Sequence, residues 1–202
     1  MKKRVDLPEK KYEGYIFDLD GTLVDSMPLH YRAWREALAR AGAPDHVFRA
    51  DEFYSCGGKS ANDVVRFLNE RYGMHMDAAS TAADKRRIYL EMLEKEGMQP
   101  IREVVEFVHS LGDAPKAIAT GSAMPGASRT LAAAGLSGLF DVILTPDEVE
   151  HGKPAPDMFL KAAELLGVSP DRCVVFEDAD PGMKAAAAAG MDCVQVRRPS
   201  LA

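Results

Sequence analysis

The sequence predicts an α/β protein, a doubly wound parallel sheet with a small helical domain inserted after its first strand. Three observations predict it. Four apolar runs, "GYIFDLD", "PKAIATG", "DVILTP" and "CVVFEDAD", are short, continuous and β-branched or aromatic, as strands covered on both faces are. From about residue 100 onward, helical stretches alternate with these runs. The long interval after the first run carries helical periodicity only.

Each element has its own signal. "GYIFDLD" is the first strand, and Gly21-Thr22 turns the chain away from it. "MPLHYRAWREALARAG" sets Leu29, Ala33, Trp34, Ala37, Leu38 and Ala41 on one stripe. "SANDVVRFLNERYG" opens on a candidate N-cap, Ser60, and "AADKRRIYLEMLEKEG" is a third helix of the interval, which reads as helical throughout. "IREVVEFVHSLG" places Ile101, Val104, Val105 and Val108 at helical spacing, and "PDMFLKAAELLG" does so with Met158, Phe159, Ala162 and Leu166. Gly112, Gly135, Gly167 and Gly190 fall where helix C-caps are expected. "AAAAAG" forms helix readily, and "DCVQVRR" is a weaker fifth strand. The expected boundaries are a core of residues 1–26 and 97–202 and a helical domain of residues 27–96.

Composition narrows the function. The chain has 202 residues, 47% of them hydrophobic and 28% charged, with a net charge of -6 that disfavours a broad grip on nucleic acid. "MKKRVDLPEKK" reads as a solvated tail. Cys56, Cys173 and Cys193 are odd in number and lack CxxC spacing, which favours reduced thiols in the cytoplasm over disulfides or structural zinc. No apolar run reaches the roughly 20 residues of a membrane span. The basic start is not followed by the apolar core of a signal peptide. A cytoplasmic monomer without nucleic-acid or membrane partners is the expectation.

The chemistry lies where strands end. In open α/β sheets the ligand crevice is lined by loops at the strands' carboxyl ends. There the sequence sets Asp18 and Asp20, then Thr120, Gly121 and Ser122, then Lys153, then Glu177 and Asp178 with Asp180 nearby. Carboxylates gathered in one pocket raise one another's pKa unless a cation is present, and oxygen donors without His or Cys favour Mg2+ over zinc. Lys153 and the Thr120-Gly121-Ser122 turn suit an anion. Together these features point to transfer of a phosphoryl group. Asp18 is then the nucleophile, and Asp20, two residues on, the acid/base.

"DLDGTLVD", Thr120, "GKPAPD" and "VFEDADPGMKAAAAAGM" resemble, in order and along nearly the whole chain, the four motifs of the haloacid dehalogenase superfamily. "HYRAWREAL" and "CVVFEDADPGMKAA" extend the likeness to its β-phosphoglucomutase-like branch, especially bacterial sugar-phosphate phosphatases of the fructose-1-phosphatase type. The resemblance implies a Rossmann-type core and reads the helical insertion as a cap that closes over the substrate and selects its organic portion. It implies Asp18 as nucleophile and metal ligand, and Asp20 as acid/base with its backbone carbonyl on the metal. Thr120 and Lys153 hold the phosphoryl group, and Asp178 with Glu177 completes the Mg2+ shell. Two positions depart from the pattern: Ala179 stands where many relatives carry Ser, and Ser60 where a mutase carries an arginine for a second phosphate.

His30, Gly57, Gly58 and Lys59 are candidate substrate contacts from the helical domain, with Lys59 able to stand in for that arginine. Trp34 reads as core between helices, His151 as a loop residue, and Met183 and Met191 as core fillers. A phosphomutase on the same scaffold is the alternative. A signalling receiver domain shares a strand-end Asp, Thr and Lys, but is shorter and lacks both the second Asp and the insertion. A catalytically silent binding protein would have lost a core position, and none is lost here.

Overall fold

The computed structural model describes residues 4–57 and 59–197. The described residues form two compact units: one holds residues 4–25 and 98–197, the other Ser26–Gly97.

The first unit is built on a parallel five-stranded sheet. Its strands are β1 (Gly14–Phe17), β2 (Lys116–Ala119), β3 (Val142–Leu144), β4 (Cys173–Glu177) and β5 (Asp192–Gln195), in the spatial order β3-β2-β1-β4-β5. Helices α5 (Arg102–Ser110), α6 (Met124–Ala133), α7 (Asp157–Leu166) and α8 (Asp180–Ala188) alternate with the later strands. β1 and β4 are buried along their whole length, which accounts for their unbroken apolar runs. β5 is an exposed edge, and its weaker apolar signal follows from that position.

Neighbouring side chains on β1 point to opposite faces. Ile16 packs with Ala117, Ala119 and Val175 against Met158, Phe159 and Ala162 of α7 and Ala185 and Ala186 of α8. On the other face Phe17 stacks on Phe176 with ring centroids 4.7 Å apart, and Phe107 of α5 closes over Tyr15 and Phe176 at 5.8 and 5.2 Å. The sheet is therefore wound with helices on both faces. At these contacts each fully buried large side chain contributes about 1.5–3 kcal/mol.

The second unit contains α1 (Met27–Arg40), α2 (Ala50–Ser55), α3 (Ala61–Tyr72) and α4 (Ala78–Glu96). Trp34 and Leu38 of α1 join Phe48, Phe53, Val65, Leu68 and Met76 in its core, so Trp34 lies in the core as expected. Ser60 caps α3 by accepting the Asp63 N–H at 3.2 Å.

The interval is not helical throughout. The chain leaves α1 at Gly42 (φ 86), passes Pro44 and reaches buried Phe48 in the left-handed region (φ 62) before α2. Glu52 of α2, itself buried, stabilises that turn by accepting the Phe48 N–H at 3.1 Å and the Tyr72 hydroxyl at 2.8 Å. α4 begins four residues earlier than the apolar pattern indicates because Asp77 accepts the Ser80 N–H at 2.7 Å as its N-cap.

Candidate active site

β1 is flanked by β2 and β4, and Phe17 pairs with Ile118 on one side and Phe176 on the other. The three strands therefore end level, which delivers Asp18, Thr120 and the Glu177–Asp178 pair to one edge of the sheet. This edge is also where the chain order reverses, since β2 and β3 lie to one side of β1 and β4 and β5 to the other.

Beyond β1 the chain folds into a tight turn. The Asp18 N–H donates to Phe176 O at 2.9 Å, and Leu19 O accepts the N–H groups of Thr22, Leu23 and Val24. Gly21 takes φ 89 and donates to Val24 O at 2.8 Å, a conformation that favours glycine. Asp20 is thereby turned toward the β2 loop, where the Ser122 hydroxyl donates to its Oδ2 at 2.6 Å. The Ser122 N–H donates to Thr120 Oγ1 at 3.0 Å, and Thr120 is fully buried. Gly121, between them, is exposed.

Lys153 extends from the segment before α7. Its Nζ donates to Asp18 Oδ1 at 2.8 Å and to Glu177 Oε2 at 2.7 Å, and it lies 5.1 Å from the centroid of the buried Phe159 ring. The other oxygen of Glu177, Oε1, accepts the N–H groups of Asp178 and Ala179 at 3.2 and 3.1 Å, at the start of α8. This places a carboxylate on the positive end of a helix. Ala179 contributes here through its backbone, so Ser at this position is not needed for the contact.

Asp18, Glu177 and Asp178 are all buried, and each offers an oxygen within 4.8 Å of the others. Burial pushes the Asp18 carboxyl up to about 7, the Glu177 charge pushes the same way, and Lys153 offsets only part of this. Burial also raises Glu177, against the pull of Lys153. Burial draws Lys153 down, but Asp18 and Glu177 outweigh it and hold the ammonium above its ordinary range. One largely buried ammonium thus stands among three buried carboxylates, a set whose remaining negative charge a divalent cation would balance. The donors are all carboxylate oxygens, which fits Mg2+.

All eight residues that the sequence assigns to catalysis, phosphate and metal lie in the α/β unit: Asp18, Asp20, Thr120, Gly121, Ser122, Lys153, Glu177 and Asp178. Asp180 is exposed as the first residue of α8, and His151 is an exposed loop residue whose Nδ1 lies 3.2 Å from Asp157 Oδ1. His30, Gly57 and Lys59 lie in the helical unit, and Gly58 lies outside the described residues. The His30 ring stacks on Tyr89 at 4.0 Å, and its Nδ1 is 2.8 Å from Lys85 Nζ. Lys59 is exposed, with Nζ 5.7 Å from the centroid of the Phe67 ring.

Three residues escaped the sequence reading. Lys85 carries no motif that marks it. Phe159 was legible only as part of an apolar stripe. Gly182 had a signal, since glycine inside a helix-forming stretch costs about 1 kcal/mol relative to alanine. A Cβ on Gly182 would stand 2.1 Å from Glu177 Cδ and Oε2.

The family model for haloacid dehalogenase-like hydrolases matches residues 12–190. The chain is 39% identical over 189 residues to the fructose-1-phosphate phosphatase YqaB of Escherichia coli (strain K12), covering 93% of this chain and 98% of that protein. It is 35% identical over 192 residues to hexitol phosphatase A of the same organism, covering 93% and 84% respectively. The crystal structure of CbbY from Rhodobacter sphaeroides in complex with phosphate superposes with a TM-score of 0.78 at 25% identity, over 90% of this chain and 84% of that one. The chain belongs to the haloacid dehalogenase-like hydrolases and stands among their phosphatases.

Proposed function

We propose that the protein is a Mg2+-dependent phosphatase of small phosphorylated metabolites, sugar phosphates foremost, working through an aspartyl-phosphate on Asp18. The observation that carries this reading is the pairing of buried Asp18 with Lys153 beside Glu177 and Asp178, at the sheet edge that also carries Asp20 and Thr120. The likeness to a fructose-1-phosphate phosphatase and a hexitol phosphatase supports the substrate class.

The roles follow from the chemistry of each side chain. Lys153 and the Thr120 hydroxyl, with the Gly121 N–H, hold the phosphoryl oxygens. An Asp18 carboxylate oxygen attacks phosphorus, the bond from phosphorus to the ester oxygen breaks, and Asp20 gives its proton to the departing alkoxide. In the second step Asp20 removes a proton from water, the water oxygen attacks phosphorus, and the bond to Asp18 breaks. Phosphate leaves and both carboxyl groups return to their starting states. Asp18, Glu177, Asp178 and the Asp20 carbonyl would hold Mg2+, which would supply charge neutralisation for the phosphoryl group. The helical unit is assigned the choice of organic portion, as a cap with His30 and Lys59 among its candidate contacts. Three free cysteines support a reducing, cytoplasmic setting, and a monomer is the proposed state.

Phosphate release from a panel of phosphorylated metabolites, with Mg2+ and with the metal chelated, tests the proposal. The expected outcome is release led by a sugar phosphate such as fructose 1-phosphate and lost on chelation. No release from any ester, or undiminished release after chelation, contradicts it. Conversion of β-glucose 1-phosphate to glucose 6-phosphate with a bisphosphate primer, in place of phosphate release, would assign the mutase reaction instead.

A further inference from the structure

Ser122 is expected from its place in the sequence to help bind an anion. In the structure its hydroxyl is engaged elsewhere, 2.6 Å from Asp20 Oδ2. That length lies within the 2.5–2.7 Å range of a hydroxyl donating to a carboxylate. Both partners are held from behind. Ser122 is fixed by its N–H on Thr120 Oγ1 at 3.0 Å, and the Thr120 N–H donates to Leu144 O at 3.0 Å. Asp20 is fixed by the turn that Gly21 and the Leu19 carbonyl close. The two loops leave adjacent parallel strands, β1 and β2, which pair in register up to Phe17 and Ile118. A donor and an acceptor carried on such neighbours keep their separation without help from the rest of the chain.

We propose that Ser122 is a positioning residue for Asp20: its hydroxyl holds Oδ2 and so sets the orientation in which the carboxyl group exchanges protons with the leaving group and the attacking water. This rests on the acid/base role of Asp20 in the proposed phosphatase mechanism. An aspartate side chain has two rotatable bonds, and a hydrogen bond to one carboxylate oxygen narrows the rotamers it samples. Oδ2 accepts the Ser122 hydrogen bond whether or not Oδ1 carries a proton, so the anchor holds through both half-reactions.

The kinetics of Ser122→Ala and Ser122→Thr, on a sugar phosphate and on p-nitrophenyl phosphate, test the role. Losing one hydrogen bond to a charged group predicts a fall in kcat of about tenfold for Ser122→Ala on the sugar phosphate, with KM changed by less than about twofold. On p-nitrophenyl phosphate, whose phenolate departs without a proton, the loss should fall on the water-attack step alone, where Asp20 still removes a proton. Ser122→Thr, which keeps the hydroxyl, should recover most of the rate. A crystal structure of Ser122→Ala should show the Asp20 carboxylate turned from its wild-type position. A raised KM at unchanged kcat would overturn the role and make Ser122 a phosphate ligand. An Asp20 carboxylate that stays in place in Ser122→Ala would also overturn it. Wild-type activity in Ser122→Ala overturns this role alone, whereas a wild-type enzyme silent on every phosphate ester overturns the phosphatase reading and this role with it.

Discussion

Glu177 uses both of its oxygens, one on Lys153 and the other on two N–H groups at the start of α8. Only a residue without a Cβ fits at position 182, because the carboxylate lies against the first turn of that helix. Gly182→Ala should therefore drive Glu177 off Lys153. The expected cost is about 1–3 kcal/mol of stability, with a marked fall in kcat, read from thermal melts and phosphate release together. A variant with wild-type melting and turnover would show that Glu177 relaxes without losing its partner. Asp18, Asp20 and Asp178 were legible as candidates because their charges stand where apolar strands end, and Lys153 because it lies in the loop after the third apolar run. Gly182 stood out only as a glycine in a helix-forming stretch, because its reason is a contact with a side chain five residues earlier that the β4–α8 geometry creates. Lys85 was hidden in the same way: its neighbours His30, Trp34 and Tyr89 come from two helices, and no local pattern joins them.

Among the elements, the strands were the most readable. β1 and β4 are buried on both faces, so every position selects for apolar residues until the first carboxylate. α2 was not legible, since six residues give too little periodicity to detect, and Glu52 and the Phe48 turn set it rather than propensity. The start of α4 was missed because the cap, Asp77, precedes the apolar stripe. Asp77→Ala should remove that cap at a cost of about 1 kcal/mol, lowering Tm by about 2–4 °C in a protein of this size. An unchanged melt would mean that packing of α4 against α1 and α3 outweighs the capping bond.

The chain folds as two compact units, and in the sequence the helical one corresponds to an interval without a strand between the first apolar run and the second. The α/β unit sets four strand-end segments at one edge, so that carboxylates from β1 and β4, an ammonium from before α7 and hydroxyls from after β2 meet. Among the described residues no helix is long and apolar enough to cross a membrane. What the sequence could not convey is how the acids share their partners: Glu177 secures Lys153, and Ser122 secures Asp20. In the proposed mechanism Asp18 carries the phosphoryl group between substrate and water. Acid quenching during turnover of a sugar phosphate, followed by mass spectrometry of the peptides, tests it most directly. A phosphoryl adduct is expected on the peptide containing Asp18 in the wild-type enzyme, with no adduct or turnover in Asp18→Asn. Turnover by Asp18→Asn, or an adduct on any other residue, would contradict it.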